Sequence, residues 1–218
     1  MYNIVIFGPQ GSGKGTQGER ISKKLGIPDI SSGALFRAEV ERNTGLGRDI
    51  AEFINSGRLV PSDLVHQVMK DRLSEQDTLE GAIFDGYPRT VEQAESLDEI
   101  LTALDRQITH VICLELSDEE AVRRLSGRRV CSNDKCRLSY HVEFKPPVKD
   151  KDHCDRCGSV LIQRQDDVPE AIKLRLEVYH KDTAPLIDFY KQRGIVFKID
   201  GAQTIDKVEK DINFIFKV

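Results

Sequence analysis

No stretch of the chain approaches the ~20 consecutive apolar residues that a membrane-spanning helix needs. Positive charge is not in excess either: 32 Lys and Arg stand against 36 Asp and Glu, a formal net charge of -4. Non-specific nucleic-acid binding rests on neutralising phosphates, so this balance argues against it, although a local basic cleft is still allowed. The opening MYNIVIFGPQ carries an apolar run too short for a signal peptide, with no basic flank and no cleavage site. The expectation is a protein of the reducing cytoplasm that contacts neither membrane nor nucleic acid. Disulfides are disfavoured there, and paired cysteines more often hold metal. Repeats and low-complexity tracts are missing, and no Ser-His-Asp or Cys-His pattern marks a covalent nucleophile.

What is present is a 218-residue chain with 39% apolar and 31% charged residues. That length suits one hydrophobic core carrying an inserted lobe. YNIVIF (2–7) is a continuous β-branched and aromatic run, as expected of a central parallel strand buried on both faces. Further strands are predicted at AIFDGYPRT (82–90, ending in a polar turn), THVICLEL (109–116) and GIVFKID (194–200), with an edge strand at IPDI (27–30). Helices are predicted over 14–25, 32–42, 47–55, 61–74, 90–104, 118–126, 168–192 and 204–214. Alternating strands and helices argue for an α/β fold with a parallel sheet that binds ligands beyond the carboxyl ends of its strands. Two regions break the alternation and read as insertions on that edge. One is 31–60, punctuated by Gly33, Gly45, Gly47 and Gly57; the other is 127–164, with Pro146, Pro147 and four cysteines. Cys113, in VICLEL, reads as a buried strand residue.

GPQGSGKGT (8–16) follows the first strand and opens a helix, the context a phosphate-binding loop requires. Gly8, Gly13 and Lys14 fit GxxxxGK[ST], but Gly15 holds the hydroxyl position and Thr16 supplies the hydroxyl one residue later. Glycines let backbone N–H groups converge on an anion, the helix start adds its dipole, and Lys14 reaches the outer phosphates. In FDGYPR (84–89), Asp85 falls at a strand end, where an acid holds Mg²⁺-bound water, and Arg89 follows the turn at Pro88. Gln93 lies one turn further on, able to donate to and accept from a purine edge. Arg37 lies in the first insertion, Arg124 and Arg128 at the entrance to the second, Arg164 at its exit and Arg175 on the next helix. Phosphoryl transfer demands such charge neutralisation. Arg129 is expected to face away. Asp167 can cap the helix opened by Pro169 and Glu170, or else one of Asp166 and Asp167 orients Arg124 or Arg164.

The four cysteines are Cys131 and Cys136, spaced C-x₄-C, then after 17 residues Cys154 and Cys157, spaced C-x₂-C. The spacing fits a tetrahedral metal site, which tolerates about two to four intervening residues. Disulfides and free thiols are the other readings. His141, His153 and Asp134 are competing ligands. Gly158 frees the turn of the second pair.

Taken together, GPQGSGKGTQ, ISSGALFR, GRLVP, FDGYPRT with Gln93, GRRV, YHVEF, RQDD and YHKDTAPLIDFY resemble the adenylate kinase family, in order and spacing, over nearly the whole chain. The resemblance is to the long form, with a lid of some 38 residues and four metal-binding cysteines. It implies a P-loop nucleoside monophosphate kinase fold: a five-stranded parallel sheet flanked by helices. The core would comprise 1–30, 61–126 and 165–218, the acceptor lobe 31–60 and the lid 127–164. It implies direct in-line, Mg²⁺-dependent transfer of the ATP γ-phosphoryl group to AMP, giving two ADP, by a monomer whose lid closes.

The resemblance places ATP against Gly11, Ser12, Gly13, Lys14, Gly15, Thr16, Arg124, Arg128 and Gln203. AMP falls to Ser32, Gly33, Arg37, Leu59, Val60, Gly86, Arg89, Gln93, Arg164 and Arg175. The catalytic set is Lys14, Asp85, Arg89, Arg124, Arg128, Arg164 and Arg175. Zn²⁺ is the default for four thiolates, with Fe and Co left open, and four protein ligands make the site structural. Three residues depart from the family pattern: Gln10 for Pro, Ser32 for Thr, and Ala34 for Asp. A related kinase using GTP or UMP and a nucleic-acid-binding zinc module are the alternatives. Gln93 favours an adenine acceptor, and the cysteine segment lacks the aromatics and basic helix of a nucleic-acid module.

Overall fold

The computed structural model describes residues 1–55, 58–133, 135–164 and 167–216. Gly57, Asp134 and Asp166, each singled out above, lie outside them. Packing groups the chain into two units: Met1–Gly8, Ser12–Glu115 and Val178–Val218 form the first, and Pro9–Gly11 with Leu116–Glu177 the second.

The first unit is built on five parallel strands: β1 (Tyr2–Phe7), β2 (Asp29–Ser31), β3 (Gly81–Asp85), β4 (His110–Glu115) and β8 (Val196–Asp200), ordered β2-β3-β1-β4-β8. The central strand β1 is buried on both faces, which is why its sequence is continuously apolar. Val5 and Phe7 point into one core, shared with Val65, Met69 and Leu97. Ile4 and Ile6 point into another, shared with Ile21, Val208 and Ile212. Helices α1 (Lys14–Leu25) and α9 (Ile205–Phe216) supply the second core. The first core takes residues from α2 (Ser32–Glu41), α3 (Gly45–Asn55), α4 (Ser62–Leu73), α5 (Val91–Thr102) and α8 (Pro185–Lys191). Because the sheet is parallel, the carboxyl ends of β1, β2, β3 and β8 lie on one edge. There they release the glycine loop, the start of α2, the turn at Asp85–Arg89 and the turn at Gly201.

One predicted helix, 168–192, is divided. α7 (Pro169–Val178) leads into a five-residue π-turn (Tyr179–Thr183) before α8. Pro185 has no N–H to continue the ladder, and Ala184 N–H bonds five residues back to Tyr179 O at 2.8 Å.

The second unit contains α6 (Asp118–Ser126) and a small antiparallel sheet ordered β6-β5-β7. The segment read from sequence as an insertion breaking the alternation holds β5 (Arg128–Cys131), β6 (Ser139–His141) and β7 (Leu161–Ile162). These strands are too short to display alternation, and β5 pairs with β7 across some 30 residues of chain. Ala121 and Leu125 of α6 pack on Ile172 and Leu176 of α7.

Candidate active site and metal centre

The glycine loop after β1 turns through positive φ at Gly11 (87°) and Gly13 (95°), a region that disfavours any side chain. This turn brings the N-terminus of α1 beneath the loop, with no acidic residue in the first turn to oppose an anion. Lys14 Nζ donates to Gly8 O at 2.7 Å, so the ammonium sits over the loop. Asp85 ends β3 as expected, beside the charges of Lys14 and Arg89. A Cβ on Gly15 would stand 3.4 Å from Asp85 Oδ2, so the first turn of α1 lies in van der Waals reach of the carboxylate. Burial raises the Asp85 carboxyl above its ordinary range, and Lys14 and Arg89 oppose the rise.

Arg89 is held in place from several sides. Its Nε donates to Gly86 O at 2.8 Å, its backbone N–H donates to Gln93 Oε1 at 2.8 Å, and its carbonyl accepts from Thr183 Oγ1 at 3.2 Å. Gln93 itself is buried on α5, whose N-cap Thr90 accepts from Gln93 N–H at 3.2 Å. Ser32 opens α2 and donates its Oγ to the same Gly86 O at 2.8 Å. Ser32 therefore links β2 to the β3 turn through its hydroxyl. Gly33 leaves room for Arg37, whose Nη1 would be 3.3 Å from a Cβ there. Val60 is buried and Leu59 half-buried ahead of α4. Ala34 is exposed, and N-cap Ser31 makes no side-chain cap bond, so α2 starts without one. Gln10 carries a buried Oε1 without a hydrogen-bond partner.

Gly201 N–H donates to Glu115 O at 2.8 Å, and its Cα approaches Ser12 closely enough that a Cβ would lie 3.4 Å from Ser12 O. The turn preceding α9 thereby lies against the loop. Gln203 on this turn spends its Nε2 on Asp200 O (3.1 Å) and Asp211 Oδ2 (3.0 Å). Sequence reading passed over Asp29, whose pattern was simply that of an edge strand. The structure sets its carboxylate on the face of the sheet below α1, where a Cβ on Gly18 would come within 2.7 Å of Oδ2. Its Oδ1 is buried without a hydrogen-bond partner. Burial, followed by the charges of Asp85 and Glu19, pushes this carboxyl up to about 7.

In the second unit, Asp167 is fully buried and takes Arg128 in a two-pronged pair: Nε to Oδ2 at 2.7 Å and Nη2 to Oδ1 at 2.5 Å. Arg175 Nη1 adds a third contact at 3.4 Å. Asp167 thus takes Arg128 and Arg175, residues that sequence spacing does not single out because 39 positions separate Arg128 from Asp167. The part of the expectation that falls on Asp166 lies outside the described residues. Arg164 reaches the same turn through its carbonyl, which accepts Asp167 N–H at 3.1 Å. Arg124 Nε donates to Glu120 at 2.8 Å, and its guanidinium lies 5.6 Å from the Phe144 ring centre. Arg129 turns back onto the carbonyls of Ser126 (3.2 Å) and Arg128 (2.8 Å).

The four cysteines converge. One Sγ from each of Cys131, Cys136, Cys154 and Cys157 lies within 4.8 Å of all the others. Sγ separations are 3.3 Å for Cys131–Cys157 and 3.7 Å for Cys136–Cys154. A tetrahedral ion with metal–sulfur bonds of about 2.3 Å needs sulfurs roughly 3.8 Å apart, so the donor set fits one metal ion. Gly158 takes φ 73° to close the C-x₂-C turn, and Arg137 takes φ 45° just after the wider pair. Neither histidine competes: His141 Nδ1 accepts from Glu143 N–H (3.0 Å) and Phe144 N–H (3.1 Å), and His153 Nδ1 pairs with Asp150 Oδ2 at 2.9 Å. Cys113 is buried in β4, and burial lifts its thiol to about 11.

A parallel α/β sheet with a glycine loop, its lysine, and an acid ending the neighbouring strand defines a P-loop nucleotide-binding protein of the nucleoside monophosphate kinase fold. The adenylate kinase family model matches residues 6–195. The chain is 46% identical over 215 residues to an adenylate kinase of Methanosarcina barkeri, covering 99% of this chain and 98% of that protein. Adenylate kinases of Archaeoglobus fulgidus (43%, 99% and 98% covered) and Clostridium botulinum (43%, 96% of each covered) are comparably similar. The chain belongs to the adenylate kinase family.

Proposed function

We propose that the chain catalyses reversible, Mg²⁺-dependent transfer of the γ-phosphoryl group of ATP to AMP, giving two ADP. The observation that carries this reading is the cluster on the carboxyl edge of the sheet. Lys14, Asp85 and Arg89 gather there beside the Ser32–Gly86 contact and Gly33–Arg37. The loop N–H groups and Lys14 bind the donor phosphates, and Arg89 with Arg37 binds the acceptor phosphate. Mg²⁺, when bound with the nucleotide, neutralises phosphate charge, and Asp85 and Thr16 would hold its water shell. Arg124, Arg128, Arg164 and Arg175 add positive charge to the transferring group, with lid closure excluding water. Gln93 reads adenine through Nε2, because Oε1 is committed to Arg89 N–H. Gln203 contributes to the donor base through its backbone, because its Nε2 is spent within its own turn.

The division into core, acceptor lobe (31–60) and lid (127–164) belongs to the same reading, as does a cytoplasmic monomer. Among the described residues no helix is long and apolar enough to cross a membrane. Zn²⁺ is the proposed lid metal, since four thiolates in a closed tetrahedron suit it and leave no position for substrate. Turnover across a panel of nucleoside triphosphate and monophosphate pairs tests the function. ATP with AMP is expected to be the best pair, and a preference for UMP or CMP as acceptor sinks the reading.

A further inference from the structure

The cysteine cluster contains a buried hydroxyl that none of the four ligands requires. Tyr140, on β6, is 4% exposed and packs with Cys131, Cys154, Leu138 and Leu161. Its Oη donates to Cys154 Sγ at 3.4 Å and accepts the backbone N–H of Asp155 at 2.8 Å. A chain of donors thus runs from the Asp155 amide through the tyrosine to the sulfur. The far side of that amide is anchored too, because the Asp155 carboxylate accepts the N–H groups of Val148 (3.0 Å) and Lys149 (2.9 Å). The hydroxyl therefore ties three stretches of chain to one ligand: β6, the C-x₂-C turn and the segment after Pro147.

We propose that Tyr140 is a positioning residue of the metal centre, whose O–H holds the Cys154 sulfur in its ligating place and stabilises the negative charge of the bound thiolate. The inference rests on the four cysteines holding a metal. The site of the contact decides its weight. Cys154 is 3% exposed, so water cannot replace a lost donor there. Cys157, by contrast, is exposed, and its neighbour Ser159 Oγ at 3.5 Å is interchangeable with solvent. An O–H accepted by sulfur lowers the energy of its lone pairs, which a charge-transfer spectrum reads directly. Groups that orient metal ligands typically change affinity by about 10–100-fold.

The test uses the full reduced chain, wild type and Tyr140→Phe, which keeps the ring in the cluster and removes only the hydroxyl. Zn²⁺ affinity is measured by competition with a chromophoric chelator, and Co²⁺-loaded protein gives the sulfur-to-cobalt band. Expected are an affinity lower by about tenfold or more and a band shifted to lower energy. 4-Aminophenylalanine at position 140, which restores a donor at the ring's para position, is expected to recover both. A Tyr140→Phe protein within twofold of wild type with an unmoved band overturns the inference. So does equal loss in both variants, which would assign Tyr140 to packing alone. A wild-type chain that takes up neither ion overturns the metal centre itself and the inference with it.

Discussion

Arg89, proposed above as a ligand of the acceptor phosphate, is fixed by its surroundings. Burial lowers the pKa of its guanidinium while Asp85 opposes the shift, and its Nε and backbone N–H are both anchored. Lys at this position keeps charge but loses the planar fork. Arg89→Lys is therefore expected to lower kcat/KM for AMP by about 100-fold, an effect of roughly 2.7 kcal/mol, while the melting temperature stays near wild type. Steady-state kinetics at varied AMP check it, and a loss below threefold would remove Arg89 from the acceptor site. Asp29 belongs to the same scale with the opposite sign. Its folded carboxyl is raised to about 7 against an unfolded value near 3.9. The folded state therefore holds the proton longer, so stability is full below about pH 4, falls as pH rises, and levels off above about pH 7. Asp29→Asn is expected to abolish this fall, gaining ~3.5 kcal/mol relative to wild type between pH 4 and pH 7.5. Denaturant melts at the two pH values read it, and a pH-independent difference would refute it. Neither residue's environment could be read from sequence: FDGYPR singles out Arg89 as a candidate for phosphate, but IPDI marks only a strand.

At the scale of elements, the α2–α3 hairpin depends on a backbone approach. A Cβ on Gly47 would stand 2.1 Å from Glu39 O, a clash with main chain that cannot rotate away. Gly47→Ala gains up to about 1 kcal/mol of helix propensity but must separate the helices. The expected net outcome is a loss of about 1–2 kcal/mol together with weaker AMP binding, measured by thermal melts and calorimetry. An alanine variant as stable as wild type would show that α3 moves without cost. The helices and strands of the first unit were legible because each carries enough residues for its period to show. The lid strands were not, because two to four residues display no period, and the break at the π-turn depends on where Pro185 falls in the ladder.

For the molecule as a whole, the two units draw their stability from different sources. The first has two extended apolar cores on either face of a five-stranded sheet. In the second, the strands around the cysteines share only a small cluster of Cys131, Tyr140 and Cys154 with Cys136, Leu138 and Leu161. So few side chains cannot offset the entropy of ordering the segment, and a metal ion would replace the missing core. Chelation under reducing conditions is expected to collapse hydrogen-exchange protection over 128–162 while leaving β1, β3 and β4 protected. Stoichiometric metal loss with unchanged lid protection would show that the strands hold without it.

By itself the sequence determined the fold class, the phosphate loop, the acid at the end of β3 and the four cysteines, because each is written in contiguous residues whose spacing is chemically constrained. Tertiary structure alone decided the rest. It brought Asp167 to Arg128 and Arg175, set Asp29 beneath α1 near Asp85, closed the C-x₄-C pair onto the C-x₂-C pair, and aimed the Tyr140 hydroxyl at Cys154. Those contacts join residues far apart in the chain, and burial sets their energies. A local pattern encodes neither.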